Sequence, residues 1–220
     1  AYLACPMRFW VNYGLNAREL PPPEPGVLPN QTGSILHEIL EKVYRDSGNG
    51  DVETILENLP NVANEVFRQA PKKYSFEPSM LWEIQQEEWL PALQQTIRGL
   101  ASSEWMPFCY EQKFGSDGLP ALEIVSTAGK TIRIQGTIDR IDCNSNGQIR
   151  VIDYKTGASH LDGKDLLIGN RIQLPIYARA ASDSLKLGEV VEGFYWAILI
   201  GKESQLKLSS FEFDTYSGPP

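Results

Sequence analysis

The order of predicted elements gives an α/β fold, a mixed β-sheet flanked by helices and preceded by an N-terminal helical region. Three observations predict it. Apolar residues recur at helical spacing through much of residues 34–101. From Phe108 the pattern changes to strand-type runs separated by turn residues. One helix then divides that meander from a final pair of strands. Helices, meander, helix and strand pair in that order place helices against a sheet of mixed direction. The 220 residues are most simply one large domain with ample length to bury a core.

Residues 1–19 mix aromatic and apolar residues with Arg8 and Arg18, predicting a short helix or strap. The Pro-rich stretch 21–29 reads as a connector. Ser34 offers an N-cap, and Ile35, Leu36, Ile39, Leu40, Val43 and Tyr44 follow at helical spacing, so an amphipathic helix is expected to about Asp46. His37 falls at the edge of its apolar stripe. Residues 52–101 read as helical, broken at Pro60, Pro71, Pro78 and Pro91. Strands are expected over Phe108–Phe114, Leu122–Ser126, Thr131–Asp142 and Gln148–Tyr154. Asn144-Ser145-Asn146-Gly147 would join the last two as a tight antiparallel pair. Arg171–Ala181 reads as a helix, and Glu189–Ile200 and Gln205–Phe213 as the closing strands.

The net charge of −8 argues mildly against a nucleic-acid binder, but the charge is unevenly placed. Residues 38–104 hold 12 acidic and 6 basic side chains; residues 127–181 hold 8 basic and 5 acidic. Three of those five acids, Asp139, Asp142 and Asp153, lie in or beside the stretch that carries the chemistry. No apolar run approaches the roughly 18 residues of a membrane span, and no secretory signal opens the chain. Three cysteines, odd in number and far apart, suit a reducing compartment, so a cytoplasmic setting is expected. A chain that starts at Ala1 and ends Ser217-Gly218-Pro219-Pro220 reads as a piece excised from a longer protein.

The chemistry concentrates between Gly136 and Lys155. Asp139 ends one apolar strand and Asp153 another. A carboxylate at the end of a buried strand is costly unless paired, hydrogen-bonded or metal-bound, and two on adjacent strands repel. A divalent cation removes that conflict. Mg²⁺ prefers hard oxygen ligands and keeps several waters, so two carboxylates plus a substrate phosphate form a reasonable site. Lys155, two residues past Asp153, points to the same face. There it would orient or deprotonate an attacking water, or steady charge on the phosphorane. The bland alternative for Asp153 and Lys155 is a surface salt bridge, and the buried strand before them weighs against it.

Gly136-Thr137-Ile138-Asp139-Arg140-Ile141-Asp142, Asp153-Tyr154-Lys155-Thr156-Gly157 and Gln173-Leu174-Pro175-Ile176-Tyr177 resemble, in order and spacing, the PD-(D/E)XK nucleases of the RecB type, whose nuclease domains occur in helicase–nucleases. The resemblance covers most of the chain. It implies a restriction-endonuclease-like core at 106–220, a helical region at 31–105 and an N-terminal strap and connector at 1–30. It also implies a deoxyribonuclease, most simply an exonuclease, using one or two Mg²⁺ or Mn²⁺ ions on single-stranded or unwound DNA ends. A helicase domain or subunit in a bacterial repair or recombination enzyme would be the partner.

Carried over residue by residue, His37, Asp139, Asp153 and the backbone carbonyl of Tyr154 would hold metal. Lys155 would be the catalytic lysine. Gln173 and Tyr177, at i and i+4 on one helix face, would brace the site and contact DNA. Glu111 stands on the first strand where some relatives carry an acid. Cys5, in Cys5-Pro6-Met7-Arg8-Phe9-Trp10, resembles the first of four cluster cysteines in iron–sulfur relatives. Here no cysteine follows Cys143, so the pattern does not assemble a cluster in this chain, and Cys109 and Cys143 read as small core residues. No nucleotide-binding P-loop occurs in the 220 residues, so ATP dependence would come from elsewhere. The rival reading from a different class is a catalytically silent nuclease fold serving as a DNA-binding or scaffold module.

Overall fold

A computed structural model of the protein describes residues 5–15, 17, 27–48, 51–157 and 172–211. Its elements are α1 (Pro6–Phe9), continued by a π-turn over Trp10–Gly14, α2 (Pro29–Ser47), α3 (Val52–Tyr74), α4 (Met80–Leu100), β1 (Met106–Phe114), β2 (Leu122–Val125), β3 (Thr131–Ile134), β4 (Gly136–Cys143), β5 (Gln148–Lys155), α5 (Gln173–Arg179) with a π-turn over Ala180–Ser184, β6 (Glu189–Ala197), β7 (Lys202–Lys207) and a 3₁₀ turn over Leu208–Phe211. The five-stranded sheet runs β1-β4-β5-β6-β7. Its β5–β6 pair is parallel and the others antiparallel. β2 and β3 form a separate two-stranded ribbon.

Several expected boundaries shift in the fold. Ser34 is not the N-cap of α2. The helix starts at Pro29, whose fixed φ suits the first helical position, and Gln31 Oε1 accepts from the Leu28 N–H at 2.9 Å. Ser34 Oγ instead donates to the Asn30 carbonyl. Of the four prolines expected to break the helical region, only Pro78 falls between helices. Pro60 and Pro71 lie inside α3 and Pro91 inside α4. Burial outweighs the lost hydrogen bonds, because Ile55, Leu56, Leu59, Val62, Ala63, Val66, Phe67 and Ala70 form one continuous buried stripe through Pro60. The strand expected over Thr131–Asp142 breaks at Gln135, giving β3 to the ribbon and β4 to the main sheet. The last expected strand, Gln205–Phe213, is corrected to β7 over Lys202–Lys207, followed by the 3₁₀ turn over Leu208–Phe211; its end beyond Phe211 lies outside the described residues, as do most of the Pro-rich connector and residues 1–4 of the strap.

Alternation along β5 sorts the two layers. Ile152 and Tyr154 join the large cluster built by α2, α3 and α4, with Phe194 and Trp196 from β6. Ile149 and Val151 join Ile141 and the buried Ala180 and Ala181 on the opposite side. Asp153 therefore shares its face with Val151, toward α5. The β4–β5 ladder ends at Arg140↔Ile152. Beyond that pair the Tyr154 N–H donates to Asp139 Oδ2 at 2.6 Å. A side-chain carboxylate there takes a donor that a continuing ladder would have used.

The helical face of β4 and β5 carries a buried charged network. Arg140 Nε donates to Asp142 Oδ1 at 2.6 Å and Arg150 Nε to Asp142 Oδ2 at 2.9 Å, with Asp142 fully buried. The Arg140 guanidinium lies 4.6 Å from the centroid of the Tyr44 ring and that of Arg150 lies 5.2 Å from the Trp105 ring. Asp142 thus belongs to the structural layer. Its expected place beside the chemistry is corrected by its odd spacing from Asp139, which turns it to the other face.

Candidate metal centre

Four elements converge where β4 and β5 part. His37 comes from α2, Glu111 from β1, Asp139 from β4, and Asp153 and Lys155 from β5. His37 Nδ1 is 3.5 Å from Glu111 Oε1 and 3.7 Å from Asp139 Oδ1. Ligand-type atoms of His37, Glu111 and Asp139 all lie within 4.8 Å of one another. The His37 ring meets Tyr154 edge-on, centroids 5.6 Å apart. Glu111 reaches the group through a left-handed backbone with φ +45°. A non-glycine residue held there stores strain of the kind found at functional sites.

Asp153 stands outside that cluster and faces Lys155, whose ammonium pairs with its Oδ2. Its carboxylate is 1% exposed, and Oδ1 has no hydrogen-bond partner among the described residues. Lys155 Nζ also donates to Gln173 Oε1 at 3.0 Å and lies 5.2 Å from the centroid of the Tyr195 ring. Gln173 Nε2 donates to Tyr177 Oη at 2.8 Å. The helix α5 thereby fixes the lysine through its amide, and the tyrosine fixes the amide. Cys5 lies apart from all of this, exposed, with its Sγ accepting from the Arg8 N–H at the start of α1. Cys109 and Cys143 are half-buried on β1 and β4.

Electrostatics mark the same spot. Burial, reinforced by Asp153, raises the Asp139 carboxyl to about 7. Burial also raises Asp153, against the pull of Lys155. Burial pulls the His37 imidazolium down, but Glu111, Asp139 and Asp153 outweigh it and the net shift is upward. All three groups hold protons more tightly folded than unfolded, so stability they contribute at low pH is lost as pH rises. For Asp139 the window runs from its ordinary 3.8 to about 7. The metal-free protein is therefore expected to melt at progressively lower temperature from about pH 4 to pH 7, the Asp139 part amounting to at most ~4 kcal/mol. Calorimetry across that range measures it, and millimolar Mg²⁺ at the upper end should reverse the loss.

The donor set suits a divalent cation. Carboxylate oxygens dominate it, one imidazole joins them, and a buried carboxylate oxygen is left without a partner. Arrangement and topology are those of an α/β fold of the restriction-endonuclease-like type, with its acidic and histidine cluster where two central strands diverge. The chain belongs to the PD-(D/E)XK nuclease superfamily, whose family model matches residues 1–215. It is similar to bacterial proteins named as a subunit of an ATP-dependent helicase/deoxyribonuclease. In Thermoanaerobacter sp. (strain X514) the identity is 28% over 83% of this chain and 17% of the relative. In Moorella thermoacetica it is 26% over 94% of this chain and 20% of the relative. In Clostridioides difficile (strain 630) it is 26% over 84% and 17%. The chain thus spans about a fifth or less of these relatives. No helix among the described residues is long and apolar enough to cross a membrane.

Proposed function

We propose that this chain is a metal-dependent deoxyribonuclease that hydrolyses phosphodiester bonds at single-stranded or unwound DNA ends, as the nuclease part of a bacterial helicase–nuclease. The names of the similar proteins support the DNA substrate and the helicase partner. The observation that carries the reaction is the buried, half-unpartnered Asp153 carboxylate beside the His37–Glu111–Asp139 cluster.

His37, Glu111, Asp139, Asp153 and the carbonyl of Tyr154 are the residues that would hold Mg²⁺ or Mn²⁺, as one ion or two. A bound ion would polarise the scissile phosphate and lower the pKa of a water. Asp139 takes the Tyr154 N–H on Oδ2, which leaves Oδ1 toward His37 and free to ligate. Lys155 sits at the end of a rigid chain through Gln173 to Tyr177 and supplies a positioned ammonium to the charge that develops on the phosphoryl oxygens. Low local polarity makes such a fixed charge worth more than it is in water.

Labelled single-stranded DNA incubated with Mn²⁺ tests the proposal. Wild type should degrade it and Asp153→Ala should not. Equal degradation by both would sink the assignment, and no degradation by either would favour a silent DNA-binding module.

A further inference from the structure

Beyond Tyr177 the site continues into a cleft of about 390 Å³ that the chemistry above does not use. Phe114, Ile134, Gln135, Ile172, Ile176 and Tyr177 line it, with the edge of Gln173 at the site end. No charged side chain lines it among the described residues. It offers aromatic and aliphatic surface, together with amides that both donate and accept. Phe114 and Tyr177 meet edge-on at 6.1 Å. Gln135 is exposed, and its side-chain amide makes no hydrogen bond among the described residues.

Two glycines build this wall. A Cβ on Gly136 would stand 2.9 Å from the Phe114 ring, so the ring lies against bare backbone. A Cβ on Gly115, which has φ +73°, would stand 2.6 Å from Gln135 Cβ, so glycine lets Gln135 close onto the end of β1. The break at Gln135, where the chain leaves the ribbon for the main sheet, places that amide at the rim of the cleft.

We infer that this cleft receives one unpaired nucleobase of the strand being cut, packed against the half-buried Tyr177 ring, which the fully buried Phe114 backs from below, with its polar edge met by the Gln135 amide. The inference rests on the nuclease reading. Size, an uncharged lining among the described residues and direct continuity with the Lys155–Gln173–Tyr177 chain favour a base over a phosphate or a metal. Bases in a duplex stay stacked and paired, so a pocket of this kind selects single-stranded or unwound DNA.

An oligonucleotide series carrying one abasic residue at successive positions tests it in the full protein. At one position relative to the cut, loss of the base should lower cleavage by ~10-fold, while neighbouring positions change little. Gln135→Ala and Ile172→Ala, both at exposed residues, should shrink that single penalty to a few-fold. An equal penalty at every position, or a single penalty unchanged in both variants, overturns the inference. Failure to cleave any oligonucleotide, intact ones included, is failure of the nuclease reading instead. In that case fluorescence anisotropy with the same abasic series decides the cleft, and uniform affinity across the series overturns it.

Discussion

Lys155→Ala is expected to lower DNA cleavage by ~10³-fold while leaving metal binding largely in place. The magnitude is that of removing one preorganised charge or donor from a transition state. The ammonium is held from three sides, by Asp153 Oδ2, by Gln173 Oε1 at 3.0 Å and by the Tyr195 ring. Lys155→Arg should not rescue it, because a planar fork cannot meet those partners in place of a point charge. Gln173→Ala should give a smaller loss by freeing the lysine without removing it. Single-turnover rates at saturating Mn²⁺, with metal affinity measured separately by calorimetry, read both effects. Equal losses in metal affinity and rate would make Lys155 a structural partner of Asp153 only.

Asp142→Ala is expected to be the most destabilising single change away from the candidate metal centre, by about 3–5 kcal/mol. The carboxylate is shared by two guanidinium groups, one of them 1% exposed. Its loss leaves two buried cations without their anion, and stacking on Tyr44 and Trp105 does not replace it. The midpoint of urea unfolding measures the change. Asp183→Ala removes the exposed Arg179 pair and should cost less than about 1 kcal/mol. Similar midpoints for the two variants would contradict the role given to the network.

The difference between Asp139 and Asp142, two aspartates of β4, shows what the sequence makes legible. Apolar alternation around Asp139 and Asp153, with a turn-forming Asn144–Gly147 between them, is enough to pair β4 with β5 and put both acids at one end. The same alternation, followed three residues on, sends Asp142 to the opposite face, a signal present in the sequence and outweighed by its nearness to Asp139. The uninterrupted stripe through Pro60 was equally readable, since burial decides a helix more than one missing N–H does.

Other features have no local sequence signal. Glu111 reaches His37 through a φ of +45° that its residue type does not announce. Gln135 falls between two strands because, among the described residues, β3 pairs with β2 while β4 pairs with β1 and β5, which is a matter of tertiary partners. The Lys155–Gln173 contact joins residues 18 apart, and only the fold brings them together. The cleft beside Tyr177 depends on two glycines whose function is to keep side-chain atoms out.

The buried acids of β4 and β5 are expected to share a divalent cation, and diffraction from crystals soaked in Mn²⁺, recorded at the manganese edge, would locate it. The expected result is an anomalous peak bonded to carboxylate oxygens of both Asp139 and Asp153 at about 2.1 Å, with His37 or Glu111 completing the protein's share. No peak at the site, or a peak that touches neither aspartate, would contradict it.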